Sequence, residues 1–327
     1  MHLILNTYGV SLQAEQGRFL IQSQEGKQHL PPDQVQSISV SKGARVSSDA
    51  VLLAIEHEID LLFVDSMGMP QGRVWSVRYG SISTIRKSQL EFVFSPAAVT
   101  WIKEQLAYKL ETQSALLLTL EATDDRATRL IQRATNALDD HRQKILQSDG
   151  ETVSDLAPSL RGWEGAASRR YFEALNTILP TAYQFATRSK HPATDPFNAL
   201  LNYGYGMLYG KIEGALIKAG IDPYVGVFHR DDYNRPVLVY DVIERYRVWI
   251  DYIVIQLCQQ AAFPEECFVA RNGGIWLEGL GKRILIQSVN DYLAEVITDG
   301  PLRRSRMVHI QQYAHDLATH FQKTTRA

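Results

Sequence analysis

The chain has 327 residues, 45% of them hydrophobic and 21% charged, with a formal net charge of −2. This length exceeds what one hydrophobic core usually organises, so two domains are expected, and nothing in the composition suggests a long disordered tail. A charge so near zero argues against a protein that coats nucleic acid indiscriminately.

In chain order, the first eighty or so residues read as strands. "LILN", "VSLQAE", "RFLIQSQ" and "VQSISVS" are short and partly alternating, and turn signals at "YG", "QGR", "EGK" and "PPD" separate them. "SSDAVLLAIEHEI" has the N-cap and spacing of a short helix, and "DLLFVD" is a buried strand ending at "SMGMPQG". After "RKSQLEFVF" the period changes. Ser95 is placed as an N-cap and Pro96 at the first helical position of "SPAAVTWIKEQLAYKLETQSALLLTLE". Helical spacing follows at "DRATRLIQRATNALDDHRQKIL", "WEGAASRRYFEALNTIL", "DPFNALLNYGYGMLYGKIEGALIKAG" and "PVLVYDVIERYRVWIDYIVIQLCQQ". The expected fold class is α+β: a small β-rich N-terminal domain over residues 1–88, then a larger, mostly α-helical catalytic domain over residues 89–327.

Cys258 and Cys267 stand in neither metal-ligating nor redox spacing, which predicts free thiols in a reducing compartment. "HLIL" at residues 2–5 is too short for a signal peptide, and no run reaches the roughly eighteen apolar residues of a membrane span. A cytoplasmic protein without a membrane partner is expected. Charge is unevenly spread. Arg73, Arg78, Arg86 and Lys87 lie between Ser66 and Leu90 with no Asp or Glu, a pattern that fits local phosphate contacts and fits ordinary solvated surface as well.

Three constellations carry possible chemistry. In "RGWEGAASRRYFEAL", Arg161, Glu164, Ser168 and Tyr171 share one helical face, and Gly165 and Ala166 leave room for a neighbouring backbone or a ligand. An ion pair over a tight helix crossing accounts for the same pattern. In "VFHRDDYNRPVLVYDVIERYRVWIDY", Asp241, Glu244 and Asp251 fall along one face of a helix, and the chain returns to it from His229. Carboxylates with one imidazole suit Mg²⁺ or Mn²⁺ rather than structural zinc, although a charged solvated face is the plainer reading. In "DPFNALLNYGYGMLYG", Asn198, Asn202, Tyr205 and Tyr209 form a polar and aromatic stripe, able to line a cleft or to join helices by buried hydrogen bonds. No P-loop, GxGxxG, HExxH or GxSxG occurs, so Walker-type hydrolysis and serine acyl transfer have no support.

Taken in this order, the three stretches, with "LPPDQVQSISVSKGARVSSDAVLLAIEHEIDLLFVDSMGMPQGRV" before them and "GGIWLEGLGKRILIQ" after, resemble CRISPR-associated protein one, the integrase of CRISPR adaptation. The resemblance implies metal ligands at Glu164, His229 and Glu244 and a further catalytic carboxylate at Asp241, with Mg²⁺ or Mn²⁺ as cofactor. One departure is Val248, where many members have proline after the arginine corresponding to Arg247. The resemblance further implies transesterification that joins the 3′-hydroxyl ends of a double-stranded DNA fragment to a CRISPR repeat, with endonuclease activity beside it. Implied partners are double-stranded DNA, a second copy in a homodimer, and a small ferredoxin-like second adaptation protein in a heterohexamer. Arg161, Arg169, Arg170, Arg73, Arg78, Arg86 and Lys87 are the candidate DNA contacts, the β-rich domain is assigned dimerisation and DNA contact, and Asn202 and Tyr205 are candidate positioning residues. A stand-alone metal-dependent nuclease for branched DNA and a non-catalytic DNA-binding scaffold are the alternatives.

Overall fold

The computed structural model describes residues 1–74, 83–122, 124–190, 192–229 and 235–324. The chain divides into two compact units, Met1–Gly80 and Ser81–Ala327.

The first unit is built from β1 (His2–Leu5), β2 (Ser11–Glu15), β3 (Arg18–Ser23), β4 (Gly26–Leu30), β5 (Ser37–Ser41), β6 (Arg45–Val46), α1 (Ser48–Glu56), β7 (Asp60–Val64) and β8 (Pro70–Arg73). One sheet has the order β1-β5-β7-β8, parallel except for β8, and the other has the order β4-β3-β2-β6. Leu12, Phe19 and Leu30 of one sheet share a core with Leu5, Ile38 and Leu61 of the other and with Ala50, Leu53 and Ala54 of α1. Ser47 caps α1 by accepting from the Ala50 amide at 3.2 Å, as its position predicts. Strand β4 was not foreseen. Its residues are exposed except for Leu30, so it carries no alternating signal and exists because β3 supplies hydrogen-bond partners.

The second unit holds α2 (Ser83–Val93), α3 (Pro96–Thr119), α4 (Asp125–Gln147), α5 (Val153–Asn176), α6 (Pro196–Lys218), α7 (Val237–Ile243) and α8 (Arg247–Gln259). A hairpin of β9 (Phe268–Arg271) and β10 (Gly274–Leu277) follows, then α9 (Gly279–Ala294), a second hairpin of β11 (Val296–Asp299) and β12 (Leu302–Ser305), and α10 (Arg306–Thr324). The α+β class is therefore observed, strands first and helices after. Helix α2 belongs to this unit, with Phe92 buried against Phe321 of α10 at 4.8 Å between ring centres. Ser95 stands at the N-cap of α3, but its hydroxyl donates back to the Phe92 carbonyl rather than capping the helix. Helix α6 is buried almost all round, packed by α7, α8, α9 and α10, while α3, α4 and α5 pack on one another.

The helix expected across residues 236–260 is broken. Residues 244–246 form a turn between α7 and α8, in which the amides of Arg245 and Tyr246 bond back to Val242 and Ile243. The three acids expected on one face therefore point to different neighbours. The break also accounts for the Val248 departure: position 248 falls in the first turn of α8, where an amide has no helical partner and a proline is accommodated. Among the described residues no helix is long and apolar enough to cross a membrane, and both cysteines are buried and free.

Candidate active site

Glu164 lies in the middle of α5, whose start is fixed by a capping box: Thr152 accepts from the Asp155 amide, and the Asp155 carboxylate accepts from the Thr152 amide at 3.1 Å. Glu244 sits at the end of α7. Between them stands Lys109 of α3, only 5% exposed, whose Nζ pairs with Glu164 and lies 2.6 Å from the Glu244 carboxylate. Arg247 donates from Nε to the other Glu244 oxygen at 2.8 Å, and the Ser168 hydroxyl donates to Glu164 at 3.3 Å. Burial alone would raise the Glu244 pKa, but Arg247 and Lys109 outweigh it and hold the carboxyl down to about 2. Burial would likewise lower the Lys109 pKa, and Glu244 and Glu164 outweigh that and keep the ammonium above its ordinary value. Two carboxylates from different helices thus share one buried positive charge.

His229 and Asp241 form a second cluster. The Asp241 carboxylate is buried and accepts from the amides of Val227, Phe228 and His229 at 2.8, 3.1 and 3.0 Å, and from His229 Nδ1 at 2.6 Å. Gly226 permits this wrapping, because a Cβ there would meet the His229 carbonyl oxygen at 2.7 Å. An imidazole whose Nδ1–H is held by a carboxylate presents Nε2 as its lone pair, and the His229 side chain is 42% exposed. Asp241 is therefore a residue that orients His229. The Arg161 guanidinium carbon lies 5.4 Å from the Phe228 ring centre, so this loop lies along α5 one turn from Glu164.

Glu164, Gly165, Glu244 and Lys109 line a cleft of about 550 Å³ together with Phe172, Phe185, Arg188, Lys190, Tyr205 and Arg247. A Cβ on Gly165 would meet no atom within 4 Å, so the missing bulk there opens the cleft wall and does not admit a neighbouring backbone. The polar stripe of α6 supports the opposite wall. Asn198 and Asn202 accept from Arg188, each at 2.6 Å, and the Tyr205 hydroxyl donates to the buried Asp251, which also accepts from Tyr171 at 2.9 Å. Burial raises the Asp251 pKa against these hydrogen bonds. Tyr209 donates to the Pro236 carbonyl at 3.2 Å. Asp251, expected on a shared acidic face, is thus a buried anchor for two tyrosines.

The predicted residues gather only in part. Glu164 and Glu244 meet at Lys109, whereas His229 is held by Asp241, and among the described residues no three His, Cys, Asp or Glu side chains already converge as a metal-ligating group. Of the candidate DNA contacts, Arg161 and Arg169 are exposed, Arg170 is exposed and pairs with Glu173 at 2.9 Å, and Lys87 is exposed on α2 beside the half-buried Arg86. Arg73 pairs with Asp60 inside the first unit, and Arg78 lies outside the described residues. Lys109, Gln113 and Arg188 were missed. The signal for the first two was present: Gln105, Lys109 and Gln113 recur every four residues along a helix face that is otherwise apolar, and all three are buried.

These features define an α+β protein whose helical unit carries paired carboxylates, an oriented histidine and a basic cleft. The sequence profile described as CRISPR associated protein Cas1 matches residues 3–291, and the chain belongs to that family. It is 28% identical over 307 residues to the CRISPR-associated endonuclease Cas1 1 of Archaeoglobus fulgidus, covering 90% of this chain and 88% of that one. It is 29% identical to the Thermus thermophilus protein of the same name, covering 91% and 88%. The fold is shared with a casposase bound to integration product (TM-score 0.82, 20% identity, 99% of this chain and 91% of the other). It is also shared with a CAS1 protein from Thermotoga maritima (TM-score 0.79, 18% identity, 98% and 97%). A chain of a Cas6-RT-Cas1–Cas2 complex matches at TM-score 0.82 and 20% identity over 99% of this chain and 35% of its own length.

Proposed function

We propose that this protein is a metal-dependent DNA integrase of CRISPR adaptation that joins strand 3′-hydroxyls to a repeat by transesterification and also cleaves DNA. The observation that carries this reading is the convergence of Glu164 and Glu244 on one buried positive charge at the wall of a basic cleft. Two carboxylates that hold an ammonium between them have the charge and donor chemistry for a hard divalent cation, provided that Lys109 gives way. His229, with Nδ1 engaged by Asp241, has the tautomer of a third ligand. The endonuclease names of the relatives support the same chemistry.

Glu164, Glu244 and His229 would hold Mg²⁺ or Mn²⁺, which when bound lowers the pKa of an attacking hydroxyl and stabilises charge on the phosphorane-like transition state. The chain's own residues do the rest. Asp241 keeps the imidazole in one orientation, Arg247 keeps Glu244 ionised, and Asn202 and Tyr205 act as positioning residues by holding Arg188 and by supporting the wall beside Arg247. Arg161, Arg169 and Arg170 lie on the same helix as Glu164 and supply phosphate contacts beside it. Double-stranded DNA, a second copy of the chain and a Cas2-type small protein are the assigned partners.

In Mg²⁺ or Mn²⁺, Glu164→Ala and His229→Ala should each abolish joining of a labelled fragment to a repeat duplex while DNA binding, read by gel shift, persists. Full joining by either variant would remove the site assignment. A fragment ending in 2′,3′-dideoxynucleotides should not be joined, because it lacks the attacking oxygen, and joining of that fragment would exclude transesterification.

A further inference from the structure

Arg188 is a cation of the cleft wall to which the proposed chemistry assigns no ligand. It is half-buried, and among the described residues no carboxylate lies within ion-pair distance of it. Its hydrogen bonds run to neutral oxygens: Nη1 donates to the Ser189 carbonyl and to Asn198, and Nη2 donates to Asn202. Nε and one Nη2 hydrogen have no partner among the described residues. Desolvation lowers the guanidinium pKa, outweighing the pull of Asp251 and Asp195 in the other direction. Asn198 and Asn202 are themselves fixed, donating to the carbonyls of Thr187, Ser189 and Lys190. The guanidinium is therefore held in one orientation by a supported amide pair, with donors to spare.

The surroundings indicate what those donors are for. The Arg188 and Arg247 guanidinium carbons lie over the same Tyr205 ring, at 5.5 and 4.7 Å from its centre. Arg247 is neutralised by Glu244, and Arg188 has no counterpart to that carboxylate among the described residues. Exposed Lys190 stands two residues away on the same cleft wall. The cleft lining holds five cations against three carboxylates, and Phe172 and Phe185 give it an apolar side. Gln113 lines it too, 3% exposed, with its side-chain oxygen lacking a partner among the described residues. A ligand that matches this set has an anion with several acceptor oxygens, a flat apolar part and a hydroxyl donor. A strand-terminal nucleotide has all three, and the volume of about 550 Å³ lies within the usual range for a small-molecule site.

We propose that Arg188, with Lys190 beside it, forms a phosphate subsite that grips the last internucleotide phosphate of a DNA strand and presents its 3′ end to Glu164 and Glu244. This deepens the integrase reading and rests on it. An arginine that keeps donors toward the cleft while its remaining N–H groups are fixed suits recognition of a phosphodiester better than a mobile lysine does.

The test uses the full chain in EDTA at low salt, with 5′-fluorescein single strands of six nucleotides read by fluorescence anisotropy. A set of strands carries one uncharged methylphosphonate linkage, moved along the strand one position at a time. Neutralising the linkage nearest the 3′ end should weaken binding by about tenfold, more than at any other position, as expected when one charge-assisted hydrogen bond is removed. Arg188→Gln should bind the unmodified strand with that same loss and be indifferent to the terminal methylphosphonate. Lys190→Met, at an exposed side chain, should lose a smaller factor without a change in thermal unfolding. Arg188→Gln retaining the wild-type positional pattern would overturn the subsite, as would a uniform loss at every strand position, which would mark Arg188 as a loop staple only. Displacement of the strand by inorganic phosphate at constant ionic strength would assign the pocket to a free anion instead. Because nothing is joined in EDTA, the two readings fail separately: a protein that shows the positional pattern but never joins strands loses the integrase reading and keeps the subsite.

Discussion

Glu244 sits in a buried position where two cations compete with desolvation, and the cations prevail. Its folded pKa of about 2 lies below its ordinary value of 4.5, so in acid the unfolded chain binds this proton more readily than the native protein does. The stabilisation is therefore complete above pH 4.5 and is lost as pH falls through about 2. In chelator, Glu244→Gln should flatten this acid limb, removing a dependence on the order of 2–3 kcal/mol between those limits. Urea unfolding at several pH values measures it, and an unchanged limb in Glu244→Gln would place the acid sensitivity elsewhere.

At the scale of elements, α3, α5 and α7 meet through the Lys109 ion pairs, so removing that ammonium leaves two facing carboxylates with less to offset their repulsion. Lys109→Met in chelator should lower stability by about 3 kcal/mol, and added Mn²⁺ should restore part of the loss if the carboxylates hold it. Thermal unfolding with and without Mn²⁺ decides this, and an unchanged melting temperature in chelator would make the bridge ornamental. The turn at residues 244–246 makes a second, independent demand. Val248→Pro falls in the first turn of α8 and should be tolerated, whereas Tyr252→Pro, in the helix interior, should cost about 3 kcal/mol or more. Equal losses from the two substitutions, measured by circular dichroism on heating, would argue for one continuous helix.

For the molecule as a whole, the net charge of −2 conceals local basic surfaces. DNA binding through phosphates releases counterions, so log K should fall with log salt at a slope of about −0.9 per phosphate held on duplex. Replacing Arg161, Arg169 and Arg170 together by alanine should make that slope shallower by about one for each phosphate no longer held, measured by anisotropy between low and moderate salt. An unchanged slope would move the DNA track off α5.

Periodicity and capping chemistry act between neighbours in sequence, so they alone determined most strands of the first unit, the start of α1, the α+β order and the face shared by Glu164 and Ser168. The order of the motifs was enough to suggest the family. Other features depended on partners distant in the chain. Strand β4 exists through β3, and the break between α7 and α8 sends Asp241, Glu244 and Asp251 to His229, Lys109 and two tyrosines respectively. Lys109 and Arg188 acquire meaning only where burial removes water and leaves their charge to be answered by whatever side chains surround it. A linear sequence states which charges are present; only the packed structure decides which of them are answered from within and which are left for a ligand.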